Sequence, residues 1–358
     1  METRKVEHSR IKAMENIRKI LVIQTAFIGD VILTLPMIQK IKRHINSATI
    51  DFIATPRAGE ILKNHPSITE LIAYDKHGKD KGIIKLLRLV QRLRVKKYDV
   101  VIVPHRSIRS AFLAWLLKPE KIIGFDTSAG HWLFTDVVKY SFNSHEIERN
   151  LSLLEPLGLK ETDFELPVLY PAKSDKSAID SVIWSYDITN TTNMIAVAPG
   201  TVWNTKRWSE ERFAQVCKQM SLKGYIVWLI GGREDKQLCE KIKALSEEDN
   251  VINTAGNFSL MQSAELIKRC RLLICNDSAP MHIAVAVGTP VIAIFGATIP
   301  EFGFAPRGKR DIVIEKKGLK CRPCSIHGGK KCPIKTFECM LSITPDQVLQ
   351  SADLILKG

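Results

Sequence analysis

The sequence predicts an α/β protein made of two doubly wound domains. Short apolar runs of strand length alternate with segments of helical periodicity, which is typical of parallel βαβ units with a covered sheet. A polar stretch at 171–176 interrupts this alternation, and the same pattern then starts again. The length of 358 residues is long for one hydrophobic core and suits two.

The composition is that of an ordinary globular protein with an excess of basic residues. Hydrophobic residues make up 45% of the chain and charged residues 25%, and the formal net charge is +14. The excess is spread over both halves of the chain. It therefore favours anionic partners, which are nucleic acid, an anionic membrane surface or phosphorylated substrates.

Residues 20–38 are mostly apolar, but their pattern is not that of a membrane anchor or a signal peptide. Asp30 lies near their centre, where insertion into a bilayer would cost roughly 2.5 to 3.5 kcal/mol, and no small-residue cleavage site follows. We therefore expect a cytoplasmic protein whose eight cysteines are reduced.

The first half contains an N-terminal extension and a first domain. The charged residues 1–17 form the extension, and the domain spans residues 18–172. A loop from Gln24 to Asp30 leads into a first helix at 31–43, and a basic amphipathic segment follows later at 83–95. Short apolar runs rich in β-branched residues predict strands at 20–23, 49–54, 71–74 and 98–103.

The second half repeats the alternation and forms a second domain at 173–340. Periodicity predicts strands at 194–198, 225–230, 272–275 and 291–295, and helices at 209–222, 236–245, 260–269 and 279–287. Residues 341–358 carry one more helix. It begins with Thr344 as N-cap, Pro345 in the first position and Gln347 in the capping-box position.

Three polar or Gly-rich turns follow strands of the second domain. They are Pro199-Gly200-Thr201, Gly231-Gly232-Arg233 and Asp277-Ser278-Ala279. Ligands of open α/β sheets bind beyond the carboxyl ends of the strands, so these turns are expected to line one crevice. Each turn by itself is also explained as a simple strand ending.

Two features within these turns favour a phosphate ligand. The turn at 277–279 opens a helix, whose first amides and dipole attract an anion. Lys206 lies just downstream of the first turn and can neutralise a diphosphate. A solvated position beside the following helix explains Lys206 equally well.

In the first domain, Gly29-Asp30 occupies the corresponding position after the first strand. A carboxylate at a helix start stays ionised and can take a proton from a hydroxyl. A purely structural role for Asp30 as N-cap fits the spacing almost as well. His105, Arg106 and Arg109 follow the strand at 98–103 and are expected to hold an anionic acceptor, unless this is an ordinary exposed loop.

The segment 83–95 has apolar residues at helical spacing, and basic residues fall between them in the sequence. The apolar face, formed by Ile83, Leu86, Leu87, Val90 and Leu93, is expected to pack on the sheet, with the basic face in solvent. Part of its charge is also suited to an anionic lipid surface.

A cysteine-rich segment lies near the end of the second domain. Cys321, Cys324, Cys332 and Cys339 have the spacing of a zinc or iron site, although the second pair lacks the two-residue separation. We adopt the interpretation of a reduced, packed loop without metal, and the metal site is the alternative.

Three stretches together carry a resemblance to a known family. Residues 20–36, 197–208 and 276–300 resemble the lipopolysaccharide heptosyltransferases of glycosyltransferase family 9, heptosyltransferase II-like. The resemblance covers nearly the whole chain after residue 17. It implies a GT-B fold, in which two Rossmann-like domains face each other across a cleft, and a final helix that returns to the first domain.

The resemblance also implies roles for individual residues. Asp30 corresponds to the base that deprotonates the acceptor hydroxyl in an inverting displacement. Lys206 corresponds to the lysine that contacts the donor phosphates, with Thr201 in the same loop, and the turn at Gly231 and Gly232 is similar to one near the nucleoside.

The donor-binding turn departs from the family pattern. Asp277, Ser278, Ala279 and His282 correspond to it, but the family usually has Asp-Thr-Gly. Ser278 keeps a hydroxyl, whereas Ala279 fits only if its backbone needs no positive φ. The cysteine-rich loop also looks like one in heptosyltransferase II-type members, and protein-modifying relatives hold iron through clustered cysteines.

The implied activity is transfer of a heptose from ADP-heptose to the phosphorylated lipid A–core acceptor of the lipopolysaccharide inner core. No cofactor or metal is expected to be required, because Lys206 and helix amides offset the charge of the leaving ADP. The expected location is the inner face of the cytoplasmic membrane, with transient contact to its anionic surface. Nucleic acid is not an expected partner, since the basic residues lack interleaved aromatics.

Two other interpretations stay open at this point. One is a family 9 glycosyltransferase with another donor sugar or a protein acceptor. The other is a noncatalytic nucleotide-binding protein of the same fold.

Overall fold

The computed structural model describes residues 17–76, 78–159 and 164–357. The extension predicted at 1–17 lies outside them apart from Ile17. The chain divides into two compact units between Tyr170 and Pro171, two residues before the predicted domain boundary.

The first unit contains one six-stranded sheet in the order β3-β2-β1-β4-β5-β6, and every paired neighbour is parallel. Its strands are β1 (Lys19–Ile23), β2 (Thr49–Ala54), β3 (Glu70–Ala73), β4 (Val100–Val103), β5 (Lys121–Phe125) and β6 (Asp136–Val138). Its helices are α1 (Ile28–His44), α2 (Pro56–Gly59), α3 (Ile83–Arg94), α4 (Ile108–Leu117) and α5 (Glu146–Ser152).

The second unit repeats this arrangement with the order β12-β11-β10-β7-β8-β9, again parallel throughout its paired strands. Its strands are β7 (Met194–Ala198), β8 (Ile226–Leu229), β9 (Val251–Asn253), β10 (Leu273–Asn276), β11 (Val291–Phe295) and β12 (Ile312–Glu315). Its helices are α6 (Lys173–Ser185), α7 (Glu210–Leu222), α8 (Lys236–Ser246), α9 (Leu260–Arg269), α10 (Ala279–Val287), α11 (Glu338–Leu341) and α12 (Pro345–Lys357).

The predicted α/β class and the two parallel sheets are confirmed. All residues of β4, β7 and β11 are buried, as expected for strands covered on both faces by helices. The sequence did not predict four strands, which are β5, β6, β9 and β12. Two of them have only three residues and β5 contains Gly124, whereas β12 has the β-branched run Ile312-Val313-Ile314, which the sequence analysis missed.

The last helix, α12, has the predicted cap and packs one face within the second unit. Its cap is the predicted capping box, in which the Thr344 N–H donates to Gln347 Oε1 at 2.9 Å and the Gln347 N–H donates to Thr344 Oγ1 at 3.3 Å. Val348, Ala352, Ile355 and Leu356 belong to the core of the second unit. This apolar stripe at i, i+4, i+7 and i+8 is buried against α7 and the sheet of its own unit, and the return to the first domain that the resemblance implied stays a prediction.

No helix among the described residues has both the length and the apolar character needed to cross a bilayer.

Candidate functional site

Both sheets have the strand order 3-2-1-4-5-6, and in both the order reverses between the first and fourth strands. This is the topological switch point, where ligands of open α/β sheets bind beyond the carboxyl ends. In the first unit the switch lies between β1 and β4, and in the second between β7 and β10. The loops that follow these four strands contain most of the predicted site residues.

Asp30 lies in the first turn of α1. The helix begins at Ile28, three residues before the predicted start, so the N-cap residue is Phe27 and not Asp30. The Phe27 N–H donates to Asp30 Oδ2 at 3.2 Å. Asp30 thus caps the helix through its side chain from inside the first turn.

Although Asp30 accepts the capping hydrogen bond, the pKa of its carboxylate is not the ordinary one. Burial, followed by the negative charge of Glu146, raises its pKa from 3.8 to about 7, against the opposing effects of the Phe27 N–H and Arg106. An acid with a pKa near neutrality is suited to accept a proton at physiological pH.

Glu146 belongs to a buried network that the sequence did not reveal. It pairs with Arg149 through Oε2 and Nη1 at 2.9 Å, and the Tyr140 hydroxyl donates to the same oxygen at 3.1 Å. The Arg149 and Arg106 guanidiniums lie over the Tyr140 ring at 4.6 Å and 4.4 Å from its centroid. Nothing in the sequence distinguishes Glu146 from other acidic residues at the start of a helix, and only its burial in the folded chain indicates a role.

His105 is a partly buried, neutral imidazole in the loop after β4. Its Nδ1 lies 3.0 Å from Thr25 Oγ1 and 2.8 Å from Ser110 Oγ. Burial and the charges of Lys76 and Arg106 lower its pKa to about 4. His105 is therefore suited to a hydrogen bond with a neutral group and not to binding an anion by charge.

The two predicted arginines differ in whether their guanidinium groups are already hydrogen-bonded within the protein. Arg109 donates to the Tyr74 hydroxyl, to the Asp80 carbonyl at 3.1 Å and to the Gly82 carbonyl at 3.3 Å, so it joins α4 to the loop before α3. The Arg106 guanidinium makes no hydrogen bond to any residue that the structure describes. Arg106 is thus the better placed of the two to receive an anion.

In the second unit, Lys206 lies in a short 3-10 turn, Asn204–Lys206, and not on the flank of α7. Its Nζ lies 2.7 Å from Asp277 Oδ2, and the Thr298 hydroxyl donates to the same oxygen at 2.7 Å. Both charged side chains are largely buried. The structure thus brings together the lysine of the first turn and the aspartate of the third.

The Thr201 side chain is occupied by its own turn. Its Oγ1 donates to the Trp203 carbonyl at 2.9 Å and accepts from the Trp203 N–H at 3.0 Å. This local pattern shapes the loop that leads to Lys206.

The turn at Asp277-Ser278-Ala279 opens α10 as predicted. Ser278 is the N-cap in an extended conformation, with φ −156° and ψ 172°. Ala279 is the first helical residue and has no positive φ, so alanine fits where the family usually has glycine. His282 is buried within the same helix.

Asn276, the last residue of β10, links the first and third turns. Its Nδ2 donates to the Pro199 carbonyl at 2.8 Å, and its Oδ1 accepts from the Trp208 N–H at 3.1 Å. Asn276 is fully buried, so these bonds fix the backbone on both sides of Lys206.

Asp235, which sequence reasoning missed, lies where the first two turns meet. Its Oδ2 accepts from the Gly232 N–H at 2.9 Å. A Cβ at Gly231 would lie 2.7 Å from Asp235 Cβ, and one at Gly200 would overlap the Asp235 carboxylate. Glycine at 200 and 231 is thus explained by this close approach.

The cysteine-rich segment is held against the Lys206–Asp277 pair at two points. The Thr205 N–H donates to the Gly329 carbonyl at 3.0 Å, and the Gly329 N–H donates back to Thr205 Oγ1 at 2.7 Å. Arg322 donates to the Thr298 carbonyl at 2.6 Å and pairs with Glu315 at 2.6 Å. The segment therefore supports both partners of the pair.

The four cysteines of this segment keep both interpretations, a reduced packed loop and a metal site. Cys321, Cys324 and Cys332 are half-buried and Cys339 is buried. Within the described parts of the chain, no group of three or more His, Cys, Asp or Glu side chains is placed to hold a metal ion.

Comparison with known proteins identifies the family. The model of glycosyltransferase family 9 (heptosyltransferase) matches residues 86–334, which is most of the chain. The chain belongs to glycosyltransferase family 9. Lipooligosaccharide heptosyltransferase 2 of Haemophilus ducreyi is 27% identical to this chain, and the alignment covers 94% of this chain and 99% of that protein.

Two solved structures have the same fold as this family 9 chain. A family 9 glycosyltransferase from Veillonella parvula superposes with a TM-score of 0.83 and 26% identity, covering 95% of this chain and 97% of its own. The ADP-heptose lps heptosyltransferase II of E. coli superposes with a TM-score of 0.78 and 24% identity, covering 94% and 98%. The fold is therefore GT-B, as the resemblance implied.

Proposed function

We propose that this family 9 glycosyltransferase transfers a heptose from ADP-heptose to the phosphorylated inner core of lipopolysaccharide, with inversion at the anomeric carbon. The observation that carries the proposal is the division of chemistry between the two switch points. The first unit has an aspartate with a pKa near 7, and the second has a lysine beside a helix N-terminus. The heptosyltransferase names of the relatives support the sugar, and the E. coli enzyme's name supports ADP-heptose as donor.

Asp30 acts as the general base in this proposal. Its carboxylate takes the proton of the acceptor hydroxyl as that oxygen attacks the anomeric carbon of the heptose. Glu146 assists from its buried network, because its negative charge makes Asp30 more basic.

Lys206 and α10 receive the leaving ADP. As the bond between the sugar and the diphosphate breaks, the charge that develops on the phosphate is offset by Lys206 and by the first amides of α10. Lys206 then exchanges its contact with Asp277 for a phosphate oxygen. Asp277 keeps the Thr298 hydroxyl as a hydrogen-bond donor during this exchange.

Arg106 is the residue we assign to the charge of the acceptor. Its guanidinium is stacked on Tyr140, which orients it without using its N–H donors, and it carries part of the field around Asp30. His105 offers a neutral hydrogen-bonding partner, and Arg109 holds the shape of the loop.

This chemistry asks for no resident cofactor, and it takes place at the cytoplasmic face of the inner membrane in our proposal. A charged nucleotide sugar is a cytoplasmic donor, and a lipid-linked acceptor requires the enzyme to meet an anionic surface. The net charge of +14 supports this contact.

The test is a transfer assay with purified protein, ADP-heptose and a delipidated inner-core oligosaccharide, read by mass spectrometry. Product with one added heptose, of inverted anomeric configuration by NMR, is expected. Asp30→Asn is expected to abolish transfer while ADP still binds with unchanged affinity. Transfer at the parental rate by Asp30→Asn would refute the base assignment, and a lack of transfer by the parent protein would refute the proposed reaction.

A further inference from the structure

Helix α3 buries only one of its faces. Leu86, Val90 and Leu93 lie in the core of the first unit, against the sheet and α4. These positions recur at i, i+4 and i+7, which is the stripe needed to attach a helix to a sheet. Of the remaining apolar residues, Leu89 packs against the same core, whereas the prediction that Ile83 and Leu87 pack on the sheet is wrong, because both are exposed.

Three of those remaining residues form an exposed apolar edge. Ile83, Ile84 and Leu87 are 56%, 65% and 48% exposed. At 100° per residue Ile83 and Leu87 lie on the flank next to the buried stripe, and Ile84 lies further round, almost opposite to it. Single exposed apolar residues are common, but three large ones adjacent on one helix indicate an interaction surface.

A cationic edge runs beside the apolar one. Lys85, Arg88 and Arg92 are exposed and recur at i, i+3 and i+7. None of the three has a carboxylate within ion-pair distance among the described residues, whereas nearby Lys96 pairs with Asp51 and Glu70. Residues 76–97 contain nine Lys and Arg and one acidic residue, so this short segment carries more than half of the net charge of the chain.

We propose that this edge of α3, formed by residues 83–85, 87, 88 and 92, is the surface that docks the enzyme on an anionic lipid bilayer. The inference rests on the proposed function in one respect, because a lipid-linked acceptor explains why the enzyme meets a membrane. The occupant follows from charge complementarity: unpaired cations attract anionic headgroups, and the apolar edge enters the boundary between headgroups and acyl chains.

The position of the helix links docking to acceptor binding. Arg109, next to the acceptor loop, donates to the Asp80 and Gly82 carbonyls directly before α3. Lys76, in the same connection, donates to Thr25 Oγ1 at 3.3 Å, and Thr25 contacts His105. A bilayer on α3 therefore holds the acceptor headgroup near the loop that carries Arg106.

Sedimentation with vesicles tests the proposal. The full chain is expected to bind vesicles of phosphatidylglycerol and phosphatidylcholine, to bind phosphatidylcholine alone much more weakly, and to be released as ionic strength rises. Each cation near the surface accounts for about a fivefold change in partitioning, so Lys85→Gln/Arg88→Gln/Arg92→Gln is expected to bind about 100-fold more weakly. Ile84→Ser/Leu87→Ser is expected to weaken binding, because the altered edge of α3 inserts less deeply into the bilayer.

A matched triple variant controls for net charge. Lys173→Gln/Lys176→Gln/Lys236→Gln removes three exposed charges from the second unit and is expected to bind vesicles like the parent. Equal loss of binding in both triple variants would overturn the assignment to α3. Failure of the parent protein to bind the anionic vesicles would also overturn the proposal. The proposal would be overturned too if the α3 variants changed a dimer into a monomer without changing vesicle binding.

The proposed reaction is tested separately. Transfer to the delipidated oligosaccharide needs no membrane, so the α3 variants are expected to retain parental rates with it. A parent that transfers heptose but does not bind vesicles would refute the docking surface alone. A parent that binds vesicles but transfers no heptose would refute the proposed function alone.

Discussion

The pH dependence of catalysis offers a quantitative test of the Asp30 environment. If this carboxylate is the base, the chemical step requires it to be deprotonated, and its pKa of about 7 places that event in the accessible pH range. The carboxylate is about one-tenth ionised at about pH 6 and about nine-tenths at about pH 8, so the single-turnover rate should rise about tenfold between them.

The same pKa predicts a change in stability. Because the folded pKa of about 7 is above the ordinary 3.8, the folded chain binds this proton more tightly than the unfolded chain, and stability is lost as pH rises between the two values. At about 1.4 kcal/mol for each pKa unit, the ionised carboxylate costs up to about 4 kcal/mol above pH 7. Asp30→Asn removes this cost and keeps an oxygen for the Phe27 N–H.

The assay compares unfolding free energies of the parent and Asp30→Asn by urea denaturation. The two proteins should be similar at about pH 4, and the variant should be more stable by up to about 4 kcal/mol at about pH 8. All other titrating groups are shared and largely cancel. A stability difference that does not change with pH, together with a flat rate profile between about pH 6 and pH 8, would refute a raised pKa at Asp30.

Glu146 provides a second variant for this test. Removing its charge in Glu146→Gln should lower the Asp30 pKa and move the rate profile to lower pH, because the negative charge of Glu146 helps to raise that pKa. Glu120 is exposed in the same unit, and Glu120→Gln should leave the midpoint unchanged. A midpoint that moves equally in both variants would contradict a specific role for Glu146.

Three further predictions concern the second unit. Lys206→Gln should weaken ADP binding about 10-fold to 100-fold by calorimetry, since a charge-assisted bond to phosphate contributes about 1.5 to 3 kcal/mol, and unchanged affinity would exclude that contact. Arg322→Leu should cost up to about 3 to 5 kcal/mol of stability because it leaves the buried Glu315 carboxylate with only the exposed Lys317, 3.6 Å away, and it should raise the donor KM more than it lowers kcat. Asn276→Ala should destabilise the chain by about 2 to 4 kcal/mol in chemical denaturation, because the buried Trp208 N–H and Pro199 carbonyl lose their partner, and a loss below 1 kcal/mol would show that other groups satisfy them.

Much of the fold follows from local patterns. The strands at 49–54, 194–198 and 291–295 and the helices at 260–269 and 279–287 have the predicted bounds, since periodicity and turn residues act over a few positions. Strands β6 and β9 have three residues each, and their burial depends on neighbours far away in the chain. A strand whose identity depends on those neighbours leaves little local signal.

The candidate site shows the same division between local and distant information. The sequence placed Asp30, Lys206 and Asp277 at strand ends, because polar turns after apolar runs mark those ends. It did not indicate Glu146, which is buried within the electrostatic reach of Asp30, or Asp235, which lies against Gly200.

The sequence by itself determined the α/β class, the division into two units and the polar turns that carry chemistry, because these are recorded in short-range periodicity. Only the tertiary structure decided that α12 packs on the second unit, that Lys206 pairs with Asp277, and that Asp30 has a pKa near 7. Each of these depends on which surfaces are buried together. Desolvation and charge act through space, so their effects are fixed only when the chain has folded.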